Sequence, residues 1–223
     1  MMTVLPHAPA GQDTDRERRT IVSTRRVVYL LALAIALACY GYQRLTEASD
    51  TVRALRLTEW FGYISALALY CALLITPLHR ALPALPGRQR SFAARRAVGV
   101  SAFAFACLHA QTGFIDLLGG WHGLGFLGSV GWTDLLLSCV ALLILGALAL
   151  TSNSRAQSLL GKRWYRLHRL VYLAAALVLL HMVVVGSHFF RWNLLTLIAT
   201  VMLSILLLLE LLRSLRYRKK KHE

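Results

Sequence analysis

Two histidines in one apolar stretch, His168 and His181, are the first residues in this chain whose type and spacing suggest chemistry. They lie in WYRLHRLVYLAAALVLLHMVVVG, residues 164–186, one at its basic start and the other deep in its apolar run. Thirteen residues separate them, about 20 Å along an α-helix. That is most of the thickness of a bilayer's hydrocarbon core. An imidazole inside a membrane segment needs a partner. Haem iron is a natural one, because it accepts axial imidazole and changes redox state by one electron. Two histidines at two depths would then mark two stations on a path across the membrane. The spacing also leaves them about 140° apart on a straight helix, so it does not by itself require two sites.

A third histidine, His109, closes the run RSFAARRAVGVSAFAFACLH. It stands fourteen residues after Arg95, close to four helical turns, so the two share a face. Gly99, Ser101, Ala102, Ala104 and Ala106 between them would let a neighbouring helix or a flat cofactor approach closely. If the segments carrying His109 and His181 both run outward, these two imidazoles meet at one depth and could clamp a haem. His168 then lies at the level of Arg95. An arginine stays protonated and is a poor iron ligand, but it suits a haem propionate. The plain alternatives are interhelical hydrogen bonds for His109 and His181 and an interfacial place for His168. His79, His122 and His188 are read as interfacial.

The elements that would position these residues are membrane helices. The chain has 223 residues, 57% of them hydrophobic and 16% charged, and a mean hydropathy of +0.56. That balance points to an all-α, polytopic membrane protein. Six apolar segments can be counted, at 27–42, 60–76, 97–115, 132–150, 170–187 and 194–212. Each is near the minimum length for a spanning helix. The expected organisation is an irregular cytoplasmic tail over 1–26, a six-helix transmembrane domain over 27–212 and a basic cytoplasmic tail over 213–223.

The net charge of +15 describes topology rather than nucleic-acid binding. Of the 25 Lys and Arg, 21 fall before residue 27, in 77–96, in 151–169 and after 212. Only Arg44, Arg53, Arg56 and Arg191 lie in the alternate connections. By the positive-inside rule both termini are cytoplasmic, and an even number of spans agrees with that. The basic tail reads first as a stop-transfer flank of the last span, with contact to anionic lipid as the alternative.

Along the chain, residues 43–59 look like a short outer loop, and Pro77 is expected to stop the second helix. Residues 116–131, DLLGGWHGLGFLGSVG, read as an irregular outer segment. The four cysteines, Cys39, Cys71, Cys107 and Cys139, sit inside apolar segments without C-x-x-C or C-x-x-C-H. They read as buried thiols, and any haem would be non-covalent. There is no Walker loop and no dinucleotide fingerprint in a strand–helix setting. Soluble catalytic, nucleotide or flavin domains are not expected within this chain.

Three stretches carry a family resemblance: LLITPLHR, RRAVGVSAFAFACLH and ALTSNSRAQSLLGKRWYRLHRLVYLAAALVLLH. They resemble the ferric-reductase-like transmembrane domain, and within it the haem-binding subunits of bacterial methionine-sulfoxide reductase systems. The resemblance implies six helices in the bacterial inner membrane that hold b-type haem, one or two, and pass electrons outward. It implies a cytoplasmic donor, either a flavin such as FMN, a flavin reductase or a quinol. The implied acceptor is a periplasmic molybdopterin reductase. It makes His109 and His181 the pair for one haem, matches His168 to the other family histidine and matches Arg95 to the arginine fourteen residues before the third-span ligand. The chain departs from the pattern on its outer side. LRLTEWFGY stands before the second span, SVGWTD replaces an Arg-Pro-Tyr, and Met182 and Val183 replace aromatic residues.

The reading is therefore an electron-transfer subunit of an oxidoreductase, from a cytoplasmic flavin or quinol donor to an extracytoplasmic acceptor. Direct reduction of ferric iron or oxygen is the first alternative. A haem-free structural or assembly protein, whose histidines only pack helices, is the second. A small transporter would show paired broken helices, and none is evident.

Overall fold

The computed structural model describes residues 10–184 and six later positions, Val201, Met202, Ile205, Leu206, Leu208 and Leu209, with side chains from Arg19 onward. Most of the expected sixth span lies outside the described residues, as do His188, Arg191, Glu210 and the basic tail. The described elements are helical throughout: α1 (Ala10–Thr46), α2 (Asp50–Ala81), α3 (Arg88–Gln111), a π-helical turn (Thr112–Leu117), a 3-10 helix (Gly120–Phe126), α4 (Ser129–Leu150), α5 (Ser154–Leu160) and α6 (Lys162–Val184). Five of the helices are long and apolar enough to cross a membrane.

The helices are longer than the apolar runs that announced them. α1 begins at Ala10, so the segment expected to be an irregular tail is helical from there. Its Gln, Glu and Arg residues are good helix formers, and the early Asp13 and Asp15 suit a helix start. The outer loop expected over 43–59 shrinks to residues 47–49, because α2 starts at Asp50 behind the Ser49 cap. Pro77 does not end α2. The helix runs through it to Ala81, with Pro77 itself buried. Proline removes one backbone donor, and packing by neighbouring helices offsets that loss inside a bundle.

Antiparallel packing of α2 and α3 is fixed by side chain to backbone bonds at two levels. Ser65 Oγ donates to Ala102 O at 2.8 Å, and Arg95 Nε donates to Ala72 O at 3.1 Å. Tyr70 Oη donates to Ala175 O at 3.1 Å and ties α2 to α6. Around these bonds lies the main core, with Leu69, Tyr70, Leu73, Ala102, Leu145 and Ala174 buried. Ala102 and Ala174 are fully covered, so backbones approach closely there. Met202 and Leu206 pack against this core, while Val201, Ile205 and Leu208 are exposed. That is the face pattern of one more amphipathic helix. Outward-facing leucines such as Leu30, Leu33, Leu136 and Leu143 are exposed, which is what a lipid-facing surface requires.

Candidate functional site

His109 and His181 come together in the bundle, on α3 and α6. Their ring centroids are 5.8 Å apart and their planes cross at 80°. Each ring is held from behind through Nδ1. His109 Nδ1 lies 2.8 Å from Thr58 O on α2. A carbonyl oxygen only accepts, so His109 carries its proton on Nδ1. His181 Nδ1 lies 2.5 Å from the Asp134 carboxylate on α4, which accepts in the same way. With Nδ1 so engaged, Nε2 is the nitrogen each ring would offer to a metal.

Thr58 is itself fixed. Its hydroxyl donates to Ala54 O and lies 2.7 Å from the Thr112 hydroxyl, where α3 passes into the π-helical turn. Gly62, one turn further along α2, makes room for the His109 ring. A Cβ there would stand 2.8 Å from His109 Nδ1 and 3.1 Å from its Cε1.

The two histidines face a cavity of about 890 Å³, toward the upper end of the roughly 300–1,000 Å³ usual for cofactor and small-molecule sites. Its walls are mainly apolar, with Ala106, Leu145, Val178 and Met182 among them. Along α4 the lining runs from Gly131 to Leu145, about 21 Å at helical rise. The π-helical turn and the 3-10 helix form one end, with Gly119 and Gly120 at positive φ between them. This is the segment read from its glycines as irregular.

A haem fits this donor set. Two imidazoles from different helices, each held through Nδ1, border one largely apolar cavity and would be available to hold its iron. Among the described residues no three His, Cys, Asp or Glu side chains gather to hold a bare metal ion. Haem iron needs only two protein ligands, since the macrocycle supplies the other four.

His168 sits elsewhere, near the start of α6. Its ring stacks on Trp164 at 3.9 Å, and its Nε2 lies 3.2 Å from Thr151 Oγ1 at the end of α4. Trp164 Nε1 donates to Thr151 O at 3.0 Å and completes the latch. Arg95 and Arg96 are within electrostatic range of His168, and Arg96 reaches Gln157 on α5 at 3.5 Å. The structure thus groups His168 with Arg95 without giving His168 a second histidine among the described residues. His79, expected at the interface, is buried within the protein and stacks on Phe92 at 5.7 Å. His122 is exposed on the 3-10 helix.

Asp134 is the site residue that the sequence reading missed. A single carboxylate early in an apolar run resembles an ordinary interfacial acid. The signal that could have found it is its place two residues inside the span beginning at Trp132, in a chain that carries a histidine deep in another apolar run.

Known proteins resemble this chain over much of the bundle that carries the site. The model of the family described as ferric reductase like transmembrane component matches residues 61–180. The heme-binding subunit MsrQ of the protein-methionine-sulfoxide reductase of Cronobacter sakazakii is 37% identical over 147 residues, covering 65% of this chain and 68% of that protein. Its counterparts in Salmonella paratyphi B and Salmonella newport are 39% identical over 127 residues, covering 56% of this chain and 59% of theirs.

Proposed function

This chain belongs to the ferric reductase like transmembrane family, and on that premise we propose that it is a b-type haem subunit carrying electrons across the bacterial inner membrane. The observation that carries this reading is the pair His109 and His181 in contact at one cavity, each with Nδ1 engaged. When bound, the haem iron supplies one-electron chemistry that no side chain in the cavity offers. The protein's part is to hold and shield. His109 and His181 would hold the haem iron. Thr58 O and Asp134 fix their tautomers. The apolar walls exclude water and lower the local dielectric.

The bundle has six spans and cytoplasmic termini in this reading, with 1–26 and 213–223 as its cytoplasmic ends. The basic end, with His168, Arg95 and Arg96, faces the cytoplasm and receives an anionic donor such as FMN, an acidic flavin reductase or a quinol. A second haem there would take His168 as a ligand, with Arg95 on a propionate. The acceptor is extracytoplasmic. The relatives' names support a methionine-sulfoxide reductase for that role.

The test is haem stoichiometry and the dithionite-reduced spectrum of the detergent-purified chain. Wild type is expected to hold one or two b-type haems, and His181→Ala to lose the one at His109. A count of two would give His168 its ligand role. Wild-type protein without haem, produced with ample haem supply, would overturn the reading and leave a helix-packing protein.

A further inference from the structure

We infer that Asp134 is a positioning residue that makes the two cavity imidazoles electronically unequal and lowers the reduction potential of the group they hold. The inference rests on the haem-binding reading above. Asp134 lies in the first turns of α4, in the wall of the cavity, with a side chain only 27% exposed. A carboxylate so placed in an apolar setting is costly unless paired. Its contact is His181 Nδ1 at 2.5 Å, shorter than the usual range even for charge-assisted bonds. Its own backbone carbonyl is engaged separately, accepting from Ser138 Oγ at 2.8 Å. Nothing in that bond draws the carboxylate away from the histidine.

The contrast is with His109. Its Nδ1 proton goes to the Thr58 carbonyl at 2.8 Å, a neutral acceptor. Both bonds fix a tautomer, but only one places a full negative charge behind the ring. A carboxylate accepting the Nδ1 proton makes the imidazole a stronger electron donor through Nε2. A stronger donor favours the more positive, oxidised metal and so lowers the potential. Asp134 is not an iron ligand in this account. It acts through His181, and it stands in SVGWTD, where the chain leaves the family pattern on its outer side.

The experiment is a redox titration of the purified, haem-loaded full chain, with low-temperature electron paramagnetic resonance of the oxidised form. Asp134→Asn keeps the size and removes the charge. It is expected to keep haem and to shift the oxidised-to-reduced preference about tenfold toward the reduced form, a rise of 59 mV for one electron, with altered low-spin g values. Asp134→Ser is a second neutral variant if the first does not fold. Asp134→Glu restores the carboxylate and is expected to lie nearer the wild type than either. Neutral variants that keep their haem at the wild-type potential and g values would overturn the inference. So would a glutamate variant shifted as far as the asparagine. Wild-type protein without haem is a different failure, visible before any substitution, and it overturns the haem reading itself.

Discussion

At Gly62 the side chain that is missing matters more than any that could be present. The His109 ring occupies the space where a Cβ would be, with Nδ1 at 2.8 Å, and it cannot swing away without breaking its bond to Thr58 O. Gly62→Ala is therefore expected to lower the haem-to-protein ratio of the purified chain about tenfold, the scale on which loss of ligand support weakens a metal site. Gly99→Ala on α3, where nothing lies within 4 Å of the added carbon, is expected to leave the ratio unchanged. Equal ratios for the two variants would remove Gly62 from the site. His109 and His181 were legible in the sequence because an imidazole stands out in an apolar run. Gly62, Thr58 and Asp134 were not. Their roles depend on which way three helices are rotated about their axes, and no periodicity in one strand of sequence sets that.

Among the elements, the start of α6 is held by a latch rather than by apolar packing alone. Trp164 stacks on His168 and donates to Thr151 O, while Thr151 Oγ1 meets His168 Nε2. Together these bonds set the angle between α4 and α6, the two helices that carry Asp134 and His181. Trp164→Phe keeps an aromatic face for His168 and removes the donor, which is expected to destabilise the bundle by about 0.5–1.5 kcal/mol. Thermal unfolding in detergent would show a lower midpoint than wild type, and haem retention should fall with it. Tyr165→Phe, at an exposed neighbour, is the control that should change neither. An unchanged midpoint for Trp164→Phe would mean that the latch does not hold the helix. The existence of α6 and its basic start was readable from the apolar run and the arginines. The latch was not, because Thr151 is thirteen residues from Trp164 and only the short α5 turn brings them together. Proline also misled at this scale: a helix breaker in water is tolerated in α2, where neighbouring helices surround it.

The whole molecule is polarised. The arginines of α1 and α3 converge at one end, where Arg19 and Arg90 line the same cleft and Arg25 and Arg96 are close enough to interact. The other end carries Asp50 and Glu59, and two of the arginines there are neutralised locally, Arg53 by Asp50 and Arg56 by Glu59. Basic charge is thus concentrated at the end that includes α5, and by the positive-inside rule that end is expected to face the cytoplasm. Cysteine labelling in intact cells tests this, in a background where Cys39, Cys71, Cys107 and Cys139 are replaced. Gly125→Cys, exposed on the 3-10 helix with open space around its Cβ, is expected to react with a membrane-impermeant maleimide from outside. Ser158→Cys, exposed on α5, is expected to react only after the membrane is opened. The reverse pattern would invert the path: the cavity of His109 and His181 would face the cytoplasm, and the basic end would meet the outer partner. The count of basic residues suggested one orientation from sequence alone. In the folded molecule two of the four arginines outside the basic clusters, Arg53 and Arg56, are paired with acids, and Arg44 bonds to the Tyr40 hydroxyl instead.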